Sequence, residues 1–356
     1  MAAKLRAATL VDMYTAFFGL QKLPFNLTPD PEFLFPFPKH QEALAGLRYA
    51  ILGRKGFVVL TGDAGTGKTT LLSAVISQLP TGKVLSSILL NPTLSPSEFL
   101  ELLMLDFGIT NIPASKAQRL WALQGFLMEA HRKDRIAILV IDEAHKLSAE
   151  VLEEIRLLGN YEFGPDKFMQ IVLLGQCELD DLLDRHDLRQ FKQRIALRLY
   201  IDPLTAAETA EYIRFRWARA GGIGEPPFTA EAIEDVARWS AGIPRLINSI
   251  CDSALLMAYG DGCSTVGAGY IRDIATNLAL APSLIAPSVP AEPVNPVPAE
   301  EVPSPKLGPV EVPPRRIADS DSSEADYDIP SFARYGLARQ NSSILKRLAG
   351  RFGFPQ

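Results

Sequence analysis

The chain has 356 residues, of which 36 are Lys or Arg and 41 are Asp or Glu, so its net charge is −5. Its length suggests two domains with additional segments, and its acidic balance argues against a protein that binds polyanions over its whole surface. No apolar run reaches the ~18 residues that a membrane-spanning helix needs, and residues 1–11 have too short an apolar stretch for a signal peptide. Cys177, Cys251 and Cys263 lack the spacing of a metal site and are expected to be buried thiols in a reducing compartment. These features predict a cytoplasmic protein.

Residues 1–40 form an N-terminal segment in which aromatic residues and prolines are concentrated between residues 13 and 39. The prolines predict turns in this stretch and no helix. Its rings either pack against another part of the protein, which is the commoner outcome, or line part of a ligand pocket. An amphipathic helix is predicted next, over residues 40–54.

Residues 62–69 carry the phosphate-binding pattern G-x-x-x-x-G-K-[ST], between a strand-like run at 57–61 and a helix-like run at 69–77. Glycines let backbone N–H groups turn toward phosphate oxygens at the positive end of the following helix. Lys68 is expected to reach the β- and γ-phosphates and the Thr69 hydroxyl to bind Mg²⁺. The loop predicts a site for ATP with Mg²⁺. If the aromatic rings at residues 13–39 line part of a ligand pocket, the adenine base is the ligand expected there. The predicted nucleotide-binding residues are Gly62, Asp63, Ala64, Gly65, Thr66, Gly67, Lys68, Thr69 and Thr70.

A second acidic motif follows the apolar run at residues 138–141. A short run of this kind is typical of a strand buried on both faces of a parallel sheet. Asp142 at its end is expected to hold Mg²⁺, and Glu143 beside it to polarise the attacking water. Residues 142–145, Asp-Glu-Ala-His, are also the motif after which a class of helicases is named. Those helicases have two motor domains, and a single phosphate loop with roughly 210 residues after it leaves no room for a second one. The pair of carboxylates therefore predicts ATP hydrolysis.

Strands and helices alternate through residues 41–202, with strands predicted at 83–90, 169–175 and 196–201. Helices are predicted at 95–107, at 115–133 and from 148. Residues 203–280 contain only helical patterns, at 205–220, 229–240, 245–259 and 268–280. The sequence thus predicts an α/β fold of the P-loop NTPase type, a parallel AAA+ sheet core followed by a helical lid. Gln176, after a strand, could help to position the attacking water, and Arg245 could reach over the γ-phosphate from the lid.

Six motifs together resemble the general secretion pathway protein A family of AAA+ ATPases, and the ATPases of exosortase and exopolysaccharide loci are closely similar. The motifs occupy residues 13–20, 24–31, 60–71, 141–145, 173–176 and 188–195. The resemblance implies a self-associating ATPase that helps to assemble or energise a cell-envelope export machine through a partner protein at the envelope or membrane. It also implies that Gln176 is sensor 1, that Arg245 is sensor 2, and that Arg194 is an arginine finger. Arg189 and Arg198 are alternative fingers, and each of the three could equally be an ordinary surface or salt-bridged arginine.

The C-terminal part of the sequence departs from that family, whose members usually continue into a transmembrane helix and a peptidoglycan-binding domain. Residues 281–330 form a linker that is first proline-rich and then acidic, with eleven of the 27 prolines between residues 282 and 314. Such a composition predicts disorder. Residues 331–356 include a basic amphipathic segment at 341–354 that suits a groove on a partner protein or an anionic membrane surface. A peripheral location at the inner membrane is compatible with such a tail.

A second functional class stays open, a DNA-associated regulatory ATPase, because transposition activators and replication initiators share this type of core. Residues 214–219 provide a basic and aromatic stretch in its favour, although a lid helix with solvated arginines and buried aromatics explains that stretch more simply. The acidic net charge and the lack of a recognisable winged helix or zinc module disfavour nucleic acid as a partner. An adaptor with a dead site is disfavoured because Lys68, Thr69, Asp142 and Glu143 are all present.

Overall fold

The computed structural model of the protein describes residues 10–28, 30–80, 82–90 and 92–282. The predicted linker beyond residue 282 and the amphipathic segment at 341–354 lie outside these residues. Among the described residues, no helix combines the length and the apolar character needed to cross a membrane.

The strands are β1 Phe57–Gly62, β2 Val84–Leu89, β3 Ile136–Ile141, β4 Glu162–Phe163, β5 Asp166–Lys167, β6 Met169–Gly175 and β7 Ile195–Ile201. The helices are α1 Leu10–Phe17, α2 Pro38–Leu52, α3 Lys68–Gln78, α4 Pro96–Asp106, α5 Lys116–Arg132, α6 Ala149–Leu158, α7 Glu178–Leu183, α8 Arg189–Lys192, α9 Ala206–Arg219, α10 Ala230–Ser240, α11 Pro244–Gly260 and α12 Ala268–Asn277.

Five strands form one parallel sheet in the order β2-β3-β6-β1-β7. Leu60 of β1 pairs with Leu174 of β6 on one side and with Leu199 of β7 on the other. The carboxyl ends of β1, β3 and β6 therefore meet at one edge of the sheet, which is where ligands bind in folds of this kind. The predicted α/β architecture with a parallel sheet is confirmed.

Helices cover both faces of this sheet because successive strand residues point to opposite sides. Phe57 and Val59 of β1 belong to a hydrophobic cluster with α4, α5 and α6. Val58 and Leu60 belong to a second cluster with α2 and α3. β1, β3 and β6 are thus buried on both faces, which explains why their sequences are nearly continuous apolar runs.

The helical lid, α9 to α12, shares its hydrophobic cluster with the N-terminal segment. Phe25 and Phe33 of that segment are buried against lid residues such as Trp217. Arg216 of α9 is itself buried, and its guanidinium donates to the carbonyl oxygens of Pro24 at 2.5 Å and Asn26 at 3.3 Å. The aromatic segment therefore packs against the lid as a structural part of it.

Two expectations from the sequence are corrected by this structure, and several short elements were not predicted. Residues 13–17 lie in α1 although no helix was expected there, because the first proline of the segment comes only at Pro24. Cys251 is buried on the inner face of α11, but Cys177 and Cys263 are exposed, since they lie at the start of α7 and in the loop after α11. The hairpin of β4 and β5 and the short helices α7 and α8 were not predicted, because two to six residues show no periodicity.

Candidate nucleotide-binding site

The loop between β1 and α3 folds as the sequence pattern predicts, and two of its glycines are required by the geometry. Gly62 has φ +152°, and a Cβ atom there would lie 2.5 Å from the Ile201 carbonyl oxygen of the neighbouring strand. Gly67 has φ +96° and directly precedes α3. Left-handed backbone of this kind is readily adopted only by glycine. The loop therefore curves tightly around the N-terminus of α3.

Lys68 lies buried inside this curve. Its Nζ donates to the carbonyl oxygens of Gly62 at 2.7 Å and Asp63 at 2.8 Å. Burial lowers the pKa of Lys68 below its ordinary value, while the carboxylates of Asp142, Glu143 and Asp63 act in the opposite direction. The ammonium group thus stands at the centre of the loop, beside a set of negative charges.

Thr69 and Asp142 connect the loop to the end of β3. The Thr69 Oγ1 donates to Asp142 Oδ2 at 2.9 Å, and Asp142 Oδ1 accepts from the backbone N–H of Glu143 at 2.9 Å. A hydroxyl next to a carboxylate is the oxygen donor set that Mg²⁺ prefers when phosphates and water supply its other ligands. Within the described residues, no group of three or more His, Cys, Asp or Glu forms an all-protein metal site. The donors therefore fit Mg²⁺ bound together with a phosphate ligand.

Glu143 has a left-handed backbone, with φ +53°, a conformation that costs a non-glycine residue about 1–2 kcal/mol. Its Oε2 lies 3.4 Å from Gln176 Nε2, 3.5 Å from His145 Nε2 and 3.4 Å from Lys146 Nζ. Gln176 comes from the end of β6, whereas His145 and Lys146 follow Glu143 in a 3₁₀ turn, Ala144–Lys146. The structure thus brings Glu143 and Gln176 together and adds two donors that the sequence did not suggest.

Arg245 places the start of the lid helix α11 against the phosphate loop. Its backbone N–H donates to the Gly65 carbonyl oxygen at 3.2 Å. A Cβ atom on Gly65 would lie 2.8 Å from the Cβ of Arg245, so the two backbones are in close contact. The Arg245 side chain is exposed and forms no ion pair with any described residue. It is therefore free to turn toward a ligand bound in the loop.

His40 is a loop contact that sequence analysis missed. Its Nε2 lies 3.2 Å from the Thr66 carbonyl oxygen, its Nδ1 lies 3.4 Å from the Phe35 carbonyl oxygen, and its ring packs on Phe37. Burial lowers the pKa of His40 to about 4. No spacing in the sequence connects His40 with the loop, because only the packing of α2 beside α3 brings them together.

The three candidate finger arginines lie away from the phosphate loop of their own chain. Arg194 immediately precedes β7, at the sheet edge opposite to Gly62, and donates to the Asn160 side chain. Arg198 pairs with Asp180 at 3.5 Å and with Asp184 at 3.6 Å. Arg189 is exposed and has no ion pair among the described residues. A role for any of them at a nucleotide would require a neighbouring molecule.

The basic and aromatic stretch at residues 214–219 is largely engaged within the chain. Arg216 and Trp217 are buried, Arg214 pairs with Glu225 at 2.9 Å, and Arg219 lies over the ring of Phe215. Arg216 is therefore not the solvated arginine that the sequence suggested, because the N-terminal segment covers it. The stretch offers a nucleic acid less exposed charge than its composition implies.

Comparisons with known proteins agree with this geometry. A protein-family model described as an AAA domain matches residues 51–183. General secretion pathway protein A of Aeromonas hydrophila is 40% identical over 260 residues, which are 73% of this chain and 47% of that protein. The chain thus spans about half the length of this relative, and its resemblance to that family is confirmed.

Solved structures share the fold. Drosophila ORC bound to DNA aligns with a TM-score of 0.54 and 19% identity, over 79% of this chain and 69% of that chain. The Aeropyrum pernix ORC2 protein, in ADPNP and ADP complexes, aligns with a TM-score of 0.54 and 16% identity, over 72% of this chain and 71% of that chain. Identities at this level establish the fold alone. The chain is an AAA-domain protein of the P-loop NTPase fold and a relative of general secretion pathway protein A.

Proposed function

We propose that this protein binds ATP with Mg²⁺ and hydrolyses it. The observation that carries the proposal is the convergence of Lys68, Thr69, Asp142 and Glu143 at one edge of the sheet, with Thr69 Oγ1 only 2.9 Å from Asp142 Oδ2. A cation, a hydroxyl and two carboxylates at the start of α3 match the needs of phosphoryl transfer to water.

Binding in this proposal uses groups that the loop already orients. The backbone N–H groups of Gly65, Gly67 and Lys68 have no acceptor among the described residues, and phosphate oxygens are suitable partners for them. Lys68 would exchange the carbonyl oxygens of Gly62 and Asp63 for phosphate oxygens. Thr69 and Asp142 would hold Mg²⁺, which offsets the negative charge of the phosphates when it is bound.

Glu143 is the proposed general base. Its Oε2 faces Gln176, His145 and Lys146, whereas its Oε1 has no partner among the described residues and can accept a proton from water. Gln176 would orient that water through its side-chain amide. Arg245, beside the loop at Gly65, would stabilise negative charge on the γ-phosphate as that charge develops.

Two variants test the assignment of ATP hydrolysis. Lys68→Ala should abolish nucleotide binding or turnover because it removes the charge that meets the phosphates. Glu143→Gln should bind ATP as the parent does and lose turnover, because the amide cannot take up a proton. Binding is measured by calorimetry and turnover by phosphate release. Equal turnover of Glu143→Gln and the parent would contradict the assignment of Glu143 as the general base.

We further propose that the ATPase self-associates and serves the assembly or energising of a cell-envelope export machine, acting through a partner at the inner membrane. The support is the 40% identity to general secretion pathway protein A over 73% of this chain. Replacement of the native protein by Lys68→Ala in its own cells should then reduce export across the envelope. Normal export together with lost ATP turnover would separate the ATPase from this process.

A further inference from the structure

His40 occupies a defined position behind the phosphate loop. It is only 5% exposed, and its Nε2 lies 3.2 Å from the carbonyl oxygen of Thr66. A Cβ atom added to Gly67 would lie 3.7 Å from the His40 Cε1, so the imidazole stands beside this part of the loop. On its other side, the ring packs on Phe37 with the ring centroids 3.8 Å apart.

The imidazole faces two hydrogen-bond acceptors and can donate to only one of them. The carbonyl oxygen of Phe35 lies 3.4 Å from Nδ1, opposite the Thr66 carbonyl at Nε2. Burial holds the pKa of His40 at about 4, so the ring is neutral under ordinary conditions and carries a single N–H. The shorter contact is the one from Nε2 to Thr66, and a hydrogen on Nε2 would bond to that carbonyl oxygen.

A hydrogen bond from Nε2 to the Thr66 carbonyl would fix the direction of the next backbone N–H. A planar trans peptide places its carbonyl oxygen and its N–H on opposite sides. Because the Thr66 oxygen lies at His40 Nε2, the Gly67 N–H points away from His40. That N–H has no acceptor among the described residues.

We propose that His40 is a positioning residue that holds the Gly67 N–H of the loop in place for a phosphate oxygen of the bound nucleotide, through a hydrogen bond from Nε2 to the Thr66 carbonyl. This inference rests on the proposed ATP site. The contact involves neither the base nor a metal ligand, so its loss should weaken every ligand that uses the phosphate loop by a similar factor.

Three substitutions at position 40 test the proposal, with MgATP and inorganic tripolyphosphate as probes in calorimetric titrations. His40→Gln places an amide nitrogen at the position of Nε2 and should keep both affinities within about twofold of the parent, a difference too small to count as a lost hydrogen bond. His40→Phe keeps the packing on Phe37 but has no donor, and His40→Asn places its nitrogen at the Nδ1 position. Both should lose about tenfold in affinity for both probes, the effect of one buried acceptor left without a donor.

His131→Phe is the matched control, since His131 also packs on a phenylalanine, Phe168, at 5.2 Å, but does not contact the loop. It should bind both probes as the parent does. Thermal unfolding without nucleotide shows whether His40→Phe is folded. If it is not, the affinities of His40→Gln and His40→Asn are compared instead. Equal affinities of the His40→Gln, His40→Asn and parent proteins would overturn the proposal. A loss of affinity for MgATP alone, with tripolyphosphate binding unchanged, would also overturn it. Failure of the parent to bind either probe would instead reject the proposed ATP site.

Discussion

The hydroxyl of Thr69 and the carboxylate of Asp142 are 73 residues apart in the chain and form a 2.9 Å hydrogen bond at the edge of the sheet. One belongs to the first turn of α3 and the other follows β3, so the contact depends on the order in which β1, β6 and β3 are arranged. In the proposed ATP site, this pair would hold the divalent cation beside the nucleotide.

Thr69→Val should raise the Mg²⁺ concentration needed for half-maximal ATP turnover by at least about tenfold, because it keeps the shape of the side chain and removes an oxygen ligand. Thr69→Ser retains the hydroxyl and should resemble the parent. The measurement is phosphate release over a Mg²⁺ titration. An unchanged Mg²⁺ dependence in Thr69→Val would remove this hydroxyl from the proposed metal site.

Arg194→Ala should bind ATP normally and turn it over ~10³-fold or more slowly if the arginine completes the site of a neighbouring molecule. Specific activity of the parent should rise with protein concentration, and a mixture of Arg194→Ala with Lys68→Ala should regain activity. Because Arg194 also donates to Asn160 within the chain, Asn160→Ala is the control for loss of that contact. Activity that is independent of concentration would contradict the role.

Lys146→Met should raise the turnover number about two- to fivefold with an unchanged KM for ATP, since an exposed ammonium contact of this kind has a modest energy. The variant removes one of the donors that face Glu143 Oε2 and leaves the carboxylate freer to accept a proton. Lys146→Arg should remain close to the parent. The control is Lys133→Met, whose ammonium pairs with Glu129 at 2.8 Å far from the site. A lower turnover number in Lys146→Met would show that this lysine supports the base and does not restrain it.

Asp252→Asn should stabilise the protein at neutral pH. Burial raises the pKa of Asp252 above its ordinary value, although the Tyr14 hydroxyl, which donates to Oδ1 at 2.7 Å, opposes that change. A carboxyl group whose pKa is raised on folding stabilises the folded protein when the pH is below its unfolded-state pKa. This stabilisation is lost as the pH rises through its folded-state pKa. The free energy of unfolding, measured with denaturant, should therefore decline in the parent between about pH 4 and about pH 7. The decline should be smaller in Asp252→Asn. Identical pH profiles for the two proteins would be inconsistent with a raised pKa.

Removal of residues 283–356 should leave ATP turnover nearly unchanged, since every proposed site residue lies between His40 and Arg245. The shortened chain should lose co-sedimentation with anionic vesicles or with an envelope partner if the basic segment at 341–354 is a docking element. Lost turnover would place the tail in the catalytic assembly, and retained co-sedimentation would assign docking to another part of the chain.

Local patterns predicted the fold well, and they indicated residues of the candidate site that the structure brings together, such as Thr69 and Asp142. The glycine-rich loop and the buried strands have signatures within a few residues, and the helical pattern after Pro203 identified the lid. His40 and Lys146 were not predicted, because their contacts with Thr66 and Glu143 depend on helix packing and on a strained turn. Arg216 was expected in solvent because the charge of an arginine usually is, but two backbone carbonyls of a segment about 190 residues earlier satisfy it.

The shared packing of the N-terminal segment with the lid has a consequence for how the chain acquires its structure. Arg216 and Pro24, which are in direct contact, are 192 residues apart, and the whole sheet lies between them in the sequence. During synthesis, Phe25 and Phe33 therefore leave the ribosome long before the helices that bury them. Their aromatic surface must stay exposed, or be covered temporarily by a chaperone, until α9 to α12 are complete. Closure of this long loop should be the slow, late step of folding.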